Sequence, residues 1–237
     1  MLLNADLGEG MPLEASMIPY LQMGSISCGA HAGDELLIRN TLRQCAAHRV
    51  LVGAHPSYED RAHFGRLEIS LPPEQLCDRV VRQLTLFREW AHAESVAIQF
   101  VKPHGALYNV SARDRIVARM VAEAVRRVDP TWALMGLAGS VSLDEAKTTG
   151  LTVYAEAFAD RRYLADGRLC PRTDSRALIE DPMEVIEQVR SITVDRRVRT
   201  VDGAWIPVDA AVVCVHGDGA QSVLFSKGIR ELLDSME

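Results

Sequence analysis

Five of the chain's seven histidines stand in short, loop-like motifs: CGAHAGD at 28–34, GAHPSYED at 53–60, AHFGR at 62–66, KPHGALYN at 102–109 and CVHGDG at 214–219. Imidazole has the side-chain pKa nearest neutrality and is a common metal ligand, so several such histidines at strand ends point to proton transfer or metal binding. A further motif, NADLGEG at 4–10, adds acids. The two-residue period of a strand puts Asn4 and Asp6 on one side of it, with Glu9 just beyond in a glycine-flanked turn. Asp6 is the strongest candidate for a general base or a metal ligand.

The other motifs surround this one with partners. His31, held between Gly29 and Gly33, is expected to point into the site, while Asp34 is placed to N-cap the helix that follows. His55 ends a strand and opens an irregular connection that runs to Pro72. Loops of that length are commonly lids, so His63 and Arg66 are expected to close over a ligand, with Arg66 offering its fork to a carboxylate. In KPHGALYN the strand period sets Lys102 and His104 on one face. A lysine turned into a barrel mouth calls for an anionic ligand or a partner carboxylate, because burying its charge unpaired is costly. Tyr108 and Asn109 either position a carbonyl or end the turn. EAFADRRY at 156–163 groups Glu156, Asp160, Arg161, Arg162 and Tyr163, with Arg172 beyond. Such a group either holds an anion or neutralises itself as a salt-bridge network. His216 and Asp218 stand after the last strand, Cys28 reads as a small buried hydrophobe, and His48 and His92 read as structural helix residues.

Strands must end where these motifs begin. Apolar runs at about 2–6, 25–28, 50–54, 97–103, 132–137, 152–158 and 210–216 read as seven strands. Helical patterns run from Asp34 to Arg49, Pro73 to Ala93, Ser111 to Val128, Ser140 to Thr149, Pro182 to Asp195 and Gln221 to Met236. The pattern over 111–128 sets Ile116, Met120, Val121, Ala124 and Val128 on one face. Alternating β and α units imply a parallel sheet with right-handed crossovers, closed or open, whose ligands bind beyond the C-terminal strand ends. VRTVDGAWIPV at 198–208 carries an Asp-Gly turn between alternating apolar residues and reads as an inserted β-hairpin. No linker or repeat divides the chain, so residues 1–237 are expected to form one domain.

Composition narrows the function classes. A net charge of -6 and 5% aromatic residues disfavour nucleic acid or an anionic membrane as partner. The N-terminus lacks the basic and apolar regions of a signal peptide, and no apolar run approaches the roughly 20 residues of a membrane span. Five cysteines without a CxxC pair suit a reducing cytoplasm. There is no GxxxxGK[ST] loop, GxGxxG, GxSxG or HExxH, so the chain has no standard cradle for ATP.

Taken together and in order, NADLGEG, CGAHAGD, GAHPSYED with FGR, KPHGALYN, FADRRY and CVHGD resemble the LamB/YcsF family, from residue 2 to about 235. The resemblance implies a (β/α)7 barrel related to the glycoside hydrolase and carbohydrate deacetylase fold. It also implies ATP-dependent opening of 5-oxo-L-proline to L-glutamate, performed with 5-oxoprolinase subunits B and C, which would handle ATP. In that reading Asp6 with His55 or His104 activates water, Lys102 stabilises negative charge and an arginine holds the substrate carboxylate. Asn4, Glu9, His31, Arg66, Tyr108 and Asn109 would meet the substrate from one side, with Glu156, Arg161, His216 and Asp218 from the other. The related barrel deacetylases suggest an alternative, a metal-dependent deacetylase or amidohydrolase with a divalent ion on Asp6, His31 and His55. A non-catalytic subunit that binds oxoproline is a third reading, and self-association into a homo-oligomer is left open. Against the usual family pattern the segment after the first strand is shortened to NADLGEGMPLEASM, Ala30 replaces an aromatic and VHGDGAQSV replaces HGDNP. These departures imply an altered, more open pocket near strands 1, 2 and 7.

Overall fold

The computed structural model describes residues 1–217 and 219–236. Strands β1 (Leu2–Leu7), β2 (Met23–Ser27), β3 (Leu51–His55), β4 (Ile98–Val101), β5 (Ala133–Leu137) and β6 (Val153–Phe158) pair in parallel, each with the next. Strands β7 (Arg197–Arg199) and β8 (Trp205–Pro207) form a separate antiparallel pair. The last strand, β9 (Val212–Val215), pairs with both β6 and β1 and closes a seven-stranded barrel. With its flanking helices this is the (β/α)7 architecture, and closure is the feature that counting strands could not decide.

The helices are α1 (Glu14–Met17), α2 (Glu35–Ala47), α3 (Pro73–Ala93), α4 (Gly105–Ser111), α5 (Arg115–Val128), α6 (Val141–Thr148), α7 (Pro182–Arg190) and α8 (Ser222–Asp234). Asp34 caps α2 by accepting from the Leu37 amide at 2.9 Å. The helix expected from Ser111 begins at Arg115 instead, and α4, which ends at Ser111, lies where a glycine turn was expected. Asp114 accepts from the amides of Ile116 and Val117 at 2.8 and 3.1 Å, so it starts α5 afresh after α4 has ended. The buried face of α5 is Ala118, Val121, Ala122, Ala124 and Val125, packed between α3 and α6. Ile116, expected on that face, is 61% exposed, because at 3.6 residues per turn it points nearly opposite to Ala118, Val121, Ala122 and Val125. At the far end of α7 the chain continues as a π-helical turn, Ser191–Asp195.

Alternation along the strands sorts the barrel interior into layers. At the bottom Met23, Phe100, Ala133, Met135 and Val212 form an apolar plug with Leu2, Leu51 and Tyr154. Two residues further along their strands stand Asn4, Ser25, Glu156 and Cys214, all fully buried, as a polar layer. Two residues further again, Asp6, His55, Phe158 and His216 reach the mouth, where Lys102, two residues beyond Phe100, joins them. A barrel of seven strands is filled by its side chains, so a polar layer inside it must satisfy its own hydrogen bonds.

Candidate active site

Lys102 is 1% exposed and holds its ammonium inside the barrel. It lies 2.8 Å from Asp6 Oδ1, 3.1 Å from Glu156 Oε1 and 3.1 Å from Cys214 Sγ. Below it, Asn4 Nδ2 donates to Glu156 Oε1 at 2.9 Å, Ser25 Oγ donates to Asn4 Oδ1 at 3.1 Å and Tyr108 Oη donates to Glu156 Oε2 at 3.1 Å. Burial opposes the charge on Lys102, but Asp6 and its other anionic neighbours outweigh burial and raise its pKa well above the ordinary value. Burial likewise opposes ionisation of Asp6, and His55 and Lys102 more than compensate, holding that carboxyl well below the usual range. Of the two partners anticipated for Lys102, the structure supplies carboxylates from the protein itself.

Beside Asp6 three histidines gather around one acid. Glu9 Oε1 lies 3.0 Å from His31 Nε2, 3.1 Å from His104 Nδ1 and 3.8 Å from His55 Nε2. His55 Nε2 also faces Asp6 Oδ2 at 3.3 Å, and the His31 and His104 rings stack 3.8 Å apart. On their outer sides His55 Nδ1 meets the Lys102 carbonyl at 2.6 Å, His104 Nε2 the Phe64 carbonyl at 2.9 Å and His31 Nδ1 the Ser57 hydroxyl at 3.0 Å. Burial pushes the His31 pKa down to about 4 and lowers that of His104. Burial opposes the Glu9 charge too, but the close contacts with His104 and His31 overcome it and keep Glu9 ionised. Glu9, His31, His55 and His104 each offer a donor atom, all within 4.8 Å of one another. That group differs from the expected trio of Asp6, His31 and His55: Lys102 claims Asp6, while Glu9 and His104 join.

Local structure explains these positions. After β1 the chain turns back into α1, where Glu14 accepts the amides of Gly8, Glu9 and Met11 at 2.9, 3.1 and 3.0 Å and so aims Glu9 inward. The connection after β3 folds over the histidines. Arg61 binds the Gly29 carbonyl at 2.9 Å and also the Gly33 carbonyl. Gly65, at a φ of 65°, passes so close that a Cβ there would sit 3.0 Å from both His31 and His104. His63, expected to close over a ligand, instead faces outward and pairs with Asp60 at 2.8 Å. Its short 3-10 turn has rotated it away from the mouth.

Above the polar floor opens a cavity of about 670 Å³. Asp6, Glu9, His55, Lys102 and His104 line its base, and Arg66, Tyr108, Asn109, Arg161 and His216 line its sides. Tyr108 and Asn109 sit on α4 rather than in a turn, Tyr108 buried and Asn109 exposed. Arg161 is buried and donates to the Cys170 carbonyl at 2.6 Å, while its Nε meets no acceptor among the described residues. Burial and the neighbouring Arg172 push its pKa down to about 10. His216 Nδ1 pairs with Asp160 Oδ1 at 2.9 Å, and its ring stacks on Phe158. Asn4, Glu156 and His31 are off the cavity wall: the first two support Lys102 from below, and His31 lies behind Glu9. Asp218 lies outside the described residues. Ser57 and Glu14 orient the site, yet their roles depend on contacts no motif displays.

The chain matches the family model described as "LamB/YcsF family" over residues 1–237. It belongs to the LamB/YcsF family. The 5-oxoprolinase A subunit of Histophilus somni (strain 129Pt) is 42% identical to this LamB/YcsF chain over 231 residues, covering 98% of it and 94% of the relative. Among solved structures, a lactam utilization protein from Thermus thermophilus superposes with a TM-score of 0.91 at 35% identity, covering 100% of this chain and 96% of that one. A family 4 carbohydrate esterase from Streptomyces lividans, in complex with acetate, reaches a TM-score of 0.50 at 12% identity, with 100% and 88% coverage. That last likeness concerns the fold alone.

Proposed function

We propose that this LamB/YcsF chain is the subunit of an ATP-dependent 5-oxoprolinase in which the ring of 5-oxo-L-proline is opened to L-glutamate. The observation that carries the reading is the 42% identity, over nearly the whole chain, to a protein named as the A subunit of 5-oxoprolinase. A five-membered lactam is a stable amide. Transfer of the ATP γ-phosphoryl group to its carbonyl oxygen makes the carbon electrophilic; water then adds, the C–N bond breaks to free the amine, and a second water releases phosphate. Subunits B and C handle ATP, in keeping with the lack of a phosphate loop in this sequence. The five cysteines are free, which suits a reducing cytoplasm, and among the described residues no helix is long and apolar enough to cross a membrane.

Within the cavity, Asp6 stays ionised and orients the attacking water, a weak base sufficing because the carbonyl is already activated. Lys102 acts through Asp6: with three acceptors around it, its charge holds the carboxylate in place rather than meeting a developing anion. His55 and His104, with Glu9, form the wall against which water and carbonyl are held. Arg161, its buried Nε lacking an acceptor among the described residues, anchors the substrate carboxylate. The test mixes this chain with candidate B and C subunits, ATP and 5-oxoproline and follows glutamate. Asp6→Asn is expected to lower turnover by about 100- to 10,000-fold. Unchanged turnover in that variant, together with calorimetric binding of oxoproline, would turn the reading into a non-catalytic binding subunit.

A further inference from the structure

Each of the three clustered histidines gives one ring nitrogen to an oxygen that accepts from it. The carbonyls of Lys102 and Phe64 fix protons on His55 Nδ1 and His104 Nε2. Ser57 Oγ sends its own hydrogen to the Tyr58 carbonyl at 2.8 Å, so it accepts from His31 Nδ1. The remaining nitrogens, His31 Nε2, His55 Nε2 and His104 Nδ1, therefore present lone pairs, and all three converge on the Glu9 carboxylate. His55 Nε2 and His104 Nδ1 also face each other at 3.0 Å with no hydrogen to share. Electron-rich atoms gathered this closely in a buried site repel unless positive charge lies among them. A proton bridges one pair and leaves the others opposed. A divalent cation serves all four atoms at once.

We infer that Glu9, His31, His55 and His104 bind one divalent transition-metal cation of the zinc class. Four of the six separations among these donor atoms, 3.0, 3.0, 3.1 and 3.8 Å, bracket the edge of about 3.3 Å that a tetrahedron with metal–ligand bonds of about 2.0–2.1 Å requires, and all six fall within 4.8 Å. Three imidazole nitrogens and one carboxylate oxygen suit zinc, cobalt or nickel, whereas calcium and magnesium take oxygen ligands. The outer N–H bonds to two carbonyls and a hydroxyl are the supports that fix the tautomer and direction of metal-binding imidazoles. Glu9, His55 and His104 line the cavity, which gives an ion a way in. The stacked His31 and His104 rings must fan apart to aim at one ion, and His31, whose outer nitrogen is held by a rotatable hydroxyl, is the ring that turns. The inference stands on this geometry and goes beyond the lactam reading.

The experiment uses the full, untagged chain, stripped with dipicolinate and dialysed against metal-free buffer. It is then titrated with ZnCl₂ by calorimetry and with CoCl₂ by visible absorption, and metal content is counted by plasma mass spectrometry. One ion per chain is expected, with a rise in unfolding temperature on adding zinc and cobalt d–d bands of a low-symmetry nitrogen-rich site. Glu9→Gln and His31→Gln should each weaken binding by about 100-fold or more, and Ser57→Ala, which alters only a support, by about 10- to 100-fold. Less than a stoichiometric ion on the wild-type chain overturns the inference, as does zinc affinity unchanged in Glu9→Gln. If those ligand variants do not fold, the wild-type titration and Ser57→Ala decide. Because no readout involves oxoproline or the partner subunits, the metal site and the 5-oxoprolinase reading can fail separately.

Discussion

Lys102 has three ammonium hydrogens and three acceptors, Asp6, Glu156 and Cys214, inside a barrel that admits almost no water to it. Removing one member of a buried ionic group leaves the others charged and uncompensated, which costs more than the group contributes while intact. Lys102→Met is therefore expected to lower unfolding free energy by about 3–5 kcal/mol, read from urea denaturation. An unchanged midpoint at unchanged slope would mean that Asp6 and Glu156 tolerate one another without it. The residue types here were legible in sequence: a lysine two positions before a histidine at a strand end demanded an anionic partner. Which anions answer was not, because Asp6 lies 96 residues away and Asn4 reaches Glu156 across 152.

At the scale of elements, β3 and β4 show how the plug supports the mouth. Gly53 faces Phe100, and a Cβ on Gly53 would lie 2.2 Å from the Phe100 ring, so the aromatic occupies the space the glycine leaves. The next inward positions on these two strands are His55 and Lys102, which places the plug directly beneath the site. Gly53→Ala should destabilise the protein by about 1–3 kcal/mol through overpacking. Combining it with Phe100→Leu should recover part of that loss in the same denaturation experiment, and strictly additive losses would count against a shared contact. Strand positions were readable because apolar runs bounded by glycine and proline are local signals. Helix α4 is harder to read, because its seven residues start at the glycine after His104 and are too few to display an apolar period.

For the whole molecule, the decisive contact is the one that closes the barrel. Beyond the β6–β9 ladder, Asp160 accepts from the backbone amide of His216 at 3.0 Å and from its ring at 2.9 Å, tying the end of β6 to the end of β9. Burial opposes the Asp160 charge, but His216 and these hydrogen bonds outweigh it and lower its pKa. A carboxyl whose folded-state pKa lies below its unfolded value contributes stability in full above the unfolded value, about 3.9, and loses it as pH falls through the folded one. The stability difference between wild type and Asp160→Asn, followed by urea midpoints from neutral pH into acid, is thus expected to shrink as pH drops below about 4. A difference that stays constant across that range would remove the ionised Asp160 from the account of closure.

By itself the sequence determined the order of strands and helices, the polar motifs at the C-terminal strand ends and the family they resemble. Those properties are local, since hydrophobic period, turn residues and short motifs are written within about ten neighbouring positions. Only the tertiary structure decided that β9 returns to β1, that Asn4 and Glu156 lie beneath the cavity as supports, and that Glu9, rather than Asp6, completes the set of three histidines. Each of those outcomes depends on a register between strands distant in sequence. A two-residue period says which side a residue faces, whereas the closed barrel sets which residue from another strand stands at the same height.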